Sequence, residues 1–132
     1  MHLSEPCRAA VRQELVRLIE AVPNITGVMV ASADGHPIAF SLQRGEPTSI
    51  AAILASALGI GHQVADLLGP SPVEEATVRS RDGYVAYYAV GHHALLCVMT
   101  ASGVNLARVH LDAREVTERL RTITEPELGQ VR

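Results

Sequence analysis

The sequence has no tryptophan, no lysine and a single phenylalanine. Without large aromatic anchors, its core has to be built from Val, Leu, Ile and Ala. All eleven basic side chains are arginines, which fits the coding bias of a GC-rich bacterial genome and says nothing of function. A net charge of −3 offers no basic footprint for nucleic acid or for an anionic membrane surface. The only cysteines, Cys7 and Cys97, lack a paired spacing and read as free thiols in a reducing compartment. The N-terminus lacks a basic-then-apolar signal pattern, and no apolar run reads as long enough to span a membrane. The expectation is a cytoplasmic protein with no membrane insertion.

Chemical motifs are missing as well. There is no P-loop, no GxGxxG, no HExxH and no CxxC. His92 and His93 are neighbours at a turn, so their side chains diverge and make poor joint ligands. His93, Cys97 and Met99 share one strand parity, a soft-metal pattern, but they sit in a run that is apolar on both faces and reads as packed core. Asp34 and Asp82 serve turns, and no carboxylate pair is placed for acid–base work. The residues therefore point to no catalytic site, no cofactor and no metal.

What the chain does have is apolar surface in excess. Apolar residues make up 48% and charged residues 19%, enough for one globular domain burying about two thirds of its unfolded surface. The excess concentrates in Thr48–Leu68, which reads as one long helix started by Pro47 and stopped by Gly69-Pro70. At 100° per residue, Ile60, Ile53, Val64, Ala57, Ile50, Leu68, Leu54, Ala65, Leu58 and Ala51 fill an arc of roughly 200°. A helix lying on one sheet needs a stripe of little more than about 100°. The rest of its circumference is small and nearly uncharged: Ser49, Ala52, Ser56, Gly59, Gln63 and Asp66. Such a helix meets its own sheet and something else. Periodicity does not say which half of the arc faces the sheet.

Around that helix the chain reads helix, two strands, helix, three strands, helix. Ser4 and Pro6 open an amphipathic helix with Val11, Leu15, Leu18, Ile19 and Val22 on one face. Ile25–Ala33 is apolar at both parities, a strand covered on both faces. Asp34-Gly35 turns it into His36–Leu42, where Pro37 marks an edge strand. Ile38, Phe40 and Leu42 fall on one side of that strand, Pro37, Ala39 and Ser41 on the other. Val73–Ser80 alternates and is mostly polar, a second edge. Asp82-Gly83 and Gly91-His92 then turn the chain through Tyr84–Val90 and His93–Thr100. Ser102-Gly103 opens a last helix with Leu106, Val109, Ala113, Val116, Leu120 and Ile123 inside. The domain ends near residue 123, and 124–132 should fray. Hairpin adjacency and the two doubly covered strands predict an α+β fold, α-β-β-α-β-β-β-α. Its antiparallel sheet has the order 2-1-5-4-3 and lies between the long middle helix and the two terminal helices.

That element order, with LIEAVPNITGVMVASADGHPIAF from Leu18 to Phe40 and VRSRDGYVAYYAVGHHALLCVMTASGVNLARVHLDAREVTERL from Val78 to Leu120, resembles the roadblock / dynein light-chain family, in its bacterial form. The resemblance implies a homodimer in which middle helices pack together and third-strand edges join. Those contacts would fall on Ile50, Ala51, Leu54, Leu58, Gly61, His62 and Ala65 of the helix and on Val73, Glu75, Thr77 and Arg79 of the edge. His62 lies at the margin of the arc, where its protonation would weaken such a seam. The resemblance further implies a small Ras-like GTPase as partner, in some systems alongside a sensor kinase, with Ser49, Ala52, Ser56 and Gln63 left to face it. The competing reading is a small-molecule-sensing domain, which needs a cavity.

Overall fold

The computed structural model describes residues 3–129. The chain forms α1 (Glu5–Ala21), β1 (Ile25–Ser32), β2 (Pro37–Leu42), α2 (Pro47–Ala65), β3 (Glu75–Ser80), β4 (Gly83–Val90), β5 (Ala94–Ala101) and α3 (Leu106–Leu128). Each helix starts at a side-chain cap that satisfies otherwise orphaned amides. The Ser4 hydroxyl accepts the Cys7 amide at 3.3 Å. The Glu46 carboxylate accepts the amides of Thr48 and Ser49 at 2.9 and 2.8 Å. Asn105 accepts the Arg108 amide at 3.1 Å.

The sheet order is β2-β1-β5-β4-β3, antiparallel in every pairing, as the hairpin argument requires. α1 and α3 cover one face: Val11, Leu15 and Leu18 with Val109, Ala113, Val116 and Leu120 pack on Val28, Val30, Leu96, Val98 and Tyr88. α2 covers the other, setting Ala51, Leu54 and Leu58 on Met29, Ala31, Leu95, Cys97 and Tyr87. The double parity of β1 thus feeds two cores, Val28 and Val30 into one and Met29 and Ala31 into the other.

Four boundaries or placements differ from expectation. The pairing of β1 with β2 shifts register between Val30 and Ala31, so Ile38 and Ala39 both enter the α1/α3 core. Phe40, opposite Met29, emerges on the α2 face at 47% exposure. β3 starts at Glu75 rather than Val73, because residues 71–74 run on as a loop. α2 ends at Ala65, and Asp66–Leu68 form a turn closed by Leu67 and Leu68 amides on the Val64 and Ala65 carbonyls.

The fourth difference is at the C-terminus. α3 continues through Pro126 to Leu128, and Thr124 and Leu128 are buried, so residues 124–128 belong to the domain. The reason is a long-range clasp: the Ser4 amide and hydroxyl both donate to the Glu127 carboxylate at 2.7 Å. Residues 130–132 of the expected tail lie outside the described residues. One compositional expectation also fails. With 19 residues, α2 is long and apolar enough to cross a membrane by length and composition alone, although its inner stripe is already seated on the sheet.

The two sheet edges are unlike. β2 starts with Pro37, which has no amide to offer, and its Ile38 carbonyl is taken by Arg8 Nη1 of α1 at 2.7 Å. β3 has no such cover, and Thr77, Val78, Arg79 and Ser80 are exposed.

Candidate protein-interaction surface

Which half of the α2 arc faces the sheet is now decided. Ala51, Leu54 and Leu58 are only 0, 4 and 6% exposed. The expectation that these three make dimer contacts is therefore corrected: they are core residues, turned onto Met29, Leu95 and Cys97. Burial of Leu54 and Leu58 contributes roughly 1.5–3 kcal/mol each, which holds α2 in place and fixes its outward face.

That outward face carries Ile53, Ile60, Val64 and, in the following turn, Leu67 and Leu68, at 60–95% exposure. Ile53, Ala57, Ile60, Val64 and Leu67 recur at alternating steps of four and three, the spacing of a helix–helix seam. Beside it runs a second stripe of Ser49, Ala52, Ser56 and Gln63, all exposed. Ile50, Gly61, His62 and Ala65 lie in and beside the sheet-facing stripe and are half-buried. There the 66–73 loop folds back. His62 Nδ1 accepts the Val73 amide at 3.2 Å, and a Cβ on Gly61 would meet Val73 Cγ1 at 3.5 Å. His62 and Val73 thus serve a loop clip inside the chain. The outer seam residues belong to the apolar arc that the sequence displays, whereas Ala51, Leu54 and Leu58 occupy its sheet-facing half.

On the opposite face, at the start of β3, four polar side chains from three elements converge. Arg114 Nε and Nη2 donate to the two carboxylate oxygens of Glu75 at 2.8 and 2.9 Å. His110 Nδ1 lies 3.5 Å from Glu75 Oε2 and 2.7 Å from the Tyr88 hydroxyl. Hydrogen bonding from Arg114 holds the Glu75 carboxyl below its usual range, and burial pushes the Tyr88 hydroxyl up. The group ties β3 and β4 to α3. Sequence spacing could not reveal it, because Glu75 and Arg114 are 39 residues apart. An open groove of about 900 Å³ runs beside it, between the end of α2 with its loop (Leu58, His62, Val73) and α3 (Arg114, Thr117, Glu118).

Nothing in this arrangement positions a nucleophile. Cys97 is fully buried, and that burial pushes its thiol up to about 12, leaving it protonated and inert. His93 lies in the turn, where its carbonyl accepts the Ala33 amide at 2.9 Å. Among the described residues, no three His, Cys, Asp or Glu side chains are grouped to hold a metal ion.

Sheet, helices and surface together define an α+β module whose middle helix leaves an apolar face exposed. The Roadblock/LC7 domain profile matches residues 11–100, and the chain belongs to that family. Among solved structures, it is similar to an MglB with a tetrameric arrangement (TM-score 0.86, 20% identity, 96% of this chain and 95% of that one). It is similar also to Myxococcus xanthus MglB (0.85, 20%, 96% and 96%) and to the gliding protein MglB of Thermus thermophilus (0.84, 19%, 94% and 95%). At these identities the likeness is one of fold. No curated protein matches the sequence.

Proposed function

We propose that this chain is a homodimeric, non-catalytic regulatory module that binds a small Ras-like GTPase in the bacterial cytoplasm and modulates its nucleotide turnover. The outer face of α2 carries this reading. It presents an apolar seam that a lone domain leaves in water and, beside it, an uncharged stripe of Ser49, Ala52, Ser56 and Gln63. Exposed apolar patches of this kind mark protein contacts. The seam pairs with a second copy and the uncharged stripe remains for the GTPase, the division of labour that membership of the roadblock family suggests. A sensor kinase system is the setting in which such a module would be wired.

The test is capture from native cytosol with the tagged protein, followed by single-turnover GTP hydrolysis and nucleotide-exchange kinetics on the small GTPase recovered. The reading expects a change in one of these rates that saturates with added protein and is lost in a Ser56→Arg/Gln63→Arg variant. Unchanged rates at saturating protein would refute it. The groove beside α2 favours one competing reading, a small-molecule sensor. A thermal-shift screen against metabolites would support that one if a single compound stabilised the protein reproducibly and no GTPase did.

A further inference from the structure

The segment that follows α2 is held to the rest of the chain by very little. Beyond the last helical bond, from the Asp66 amide to the His62 carbonyl, its backbone bonds are local. The amides of Leu67, Leu68, Gly69 and Ser71 reach the carbonyls of Val64, Ala65, Asp66 and Gly69. Among the described residues, residues 66–73 make one hydrogen bond to a side chain, from the Val73 amide to His62 Nδ1 at 3.2 Å. His62 stands in the last turn of α2, and Gly61 beside it lets Val73 approach. A ring nitrogen accepts a hydrogen bond only while it carries no proton. The bond therefore places the neutral imidazole's proton on Nε2.

We propose that His62 is a proton-operated latch on this loop. A proton taken from solvent at Nδ1 turns the acceptor into a second donor, sets it against the Val73 amide, and frees residues 66–73 from α2. The consequence is larger than one bond. Pro70, Ser71, Pro72 and Val73 form one wall of the open groove beside α2, so the groove widens when the loop lifts. Leu67 and Leu68, at 84 and 95% exposure, travel with it, and Leu67 is the last residue of the outer apolar seam. The latch is a property of the single chain and does not depend on the homodimer or on a GTPase.

Other titratable groups share the groove with His62: Asp66 just past α2, Glu74 and Glu75 at the start of β3, His92 after β4, and Arg114 and Glu118 on α3. Glu75 is paired with Arg114 and Glu118 with Arg121. Asp66 and Glu74 have no cation partner among the described residues. Tyr88 of β4 faces the groove as well, with its hydroxyl held by His110 at 2.7 Å. Carboxyl groups ordinarily titrate near about 4 and imidazoles near about 6.5. A transition between about pH 8 and about pH 5 therefore belongs to an imidazole, and His92 is the one to control for.

The test is hydrogen exchange of the Val73 amide in the full chain, read by NMR as a protection factor so that the intrinsic pH dependence of exchange cancels. The ring nitrogens of His62 are followed in the same samples. At about pH 8 the ring should carry its proton on Nε2 alone, with Val73 protected. At about pH 5 both nitrogens should be protonated, and protection of Val73 should fall at least about ten-fold, in step with the ring. His62→Asn puts an amide oxygen where Nδ1 stood and does not titrate, so it should stay protected at both pH values. His62→Leu removes the acceptor and should be unprotected at both. His92→Gln should behave as the parent. Val73 protection that is equal at the two pH values in the parent overturns the latch. So does a His62→Asn protein that loses protection in acid as the parent does, which would assign the change to Asp66 or Glu74. Should a variant misfold, the parent's paired titration of His62 and Val73 still decides.

Discussion

Ile60→Arg separates the outer seam of α2 from its inner stripe. Ile60 keeps 61% of its surface exposed in the lone chain, so little of its apolar area contributes to folding. Full burial of an isoleucine side chain is worth about 1.5–3 kcal/mol, and the exposed share therefore represents about 1–2 kcal/mol per protomer. A two-fold interface counts that residue twice, giving about 2–4 kcal/mol lost from the dimer, or about 30- to 1,000-fold in Kd. A buried, unpaired guanidinium adds to the loss. Folding stability should move by no more than about 0.5 kcal/mol, as for other exposed positions. Sedimentation equilibrium over a wide concentration range reads the first quantity, and urea denaturation of the monomer reads the second. The expected variant is a folded monomer where the parent is a dimer. An Ile60→Arg protein that associates as tightly as the parent would refute the claim that this face is the seam.

Leu58→Ala probes the inner stripe. A leucine packed on Met29, Leu95 and Cys97 should lower unfolding stability by about 2–5 kcal/mol, seen as a fall in urea midpoint at constant slope. No change there would mean that α2 is not held by that contact. Glu75 gives a pH dependence of defined sign. Arg114 lowers its carboxyl pKa in the folded state. The stability it contributes is therefore present above the unfolded value of about 4.3 and is lost as pH falls through the folded value. Glu75→Gln should be less stable than the parent at pH 7, and the gap should close below about pH 4. A gap that stays constant from neutral to acid pH would count against the Arg114 pairing.

Element order, sheet order and layering were legible from local signals. Asp34-Gly35 named one hairpin, Pro37 an edge, and the double parity of Ile25–Ala33 and His93–Thr100 two central strands. The exceptions are places where distant residues overrule local ones. Residues 124–132 read as a fraying tail, yet Ser4 reaches across to Glu127 and keeps the last turn docked. Phe40 reads as sharing a side of β2 with Ile38, but the register shift at Val30/Ala31 puts Ile38 with Ala39 in one core and leaves Phe40 on the other face. For the candidate surface, the excess of apolar arc on α2 was plain, while its division was not. A helix wheel gives angles between residues and no absolute orientation, so Leu54 and Leu58 look the same as Ile53 and Ile60 until the sheet is in place. The Glu75–Arg114–His110–Tyr88 group left no sequence trace, because tertiary geometry alone assembles it.

The guanidinium of Arg8 on the Ile38 carbonyl has an effect on assembly size. A ribbon of strands with both rims available can recruit neighbours without limit, the geometry of fibres. Here one rim begins with a proline and has a carbonyl held from within, which biases lateral joining toward the other rim. A two-fold union through that other rim is closed by symmetry, which favours a finite assembly in a chain rich in aliphatic residues.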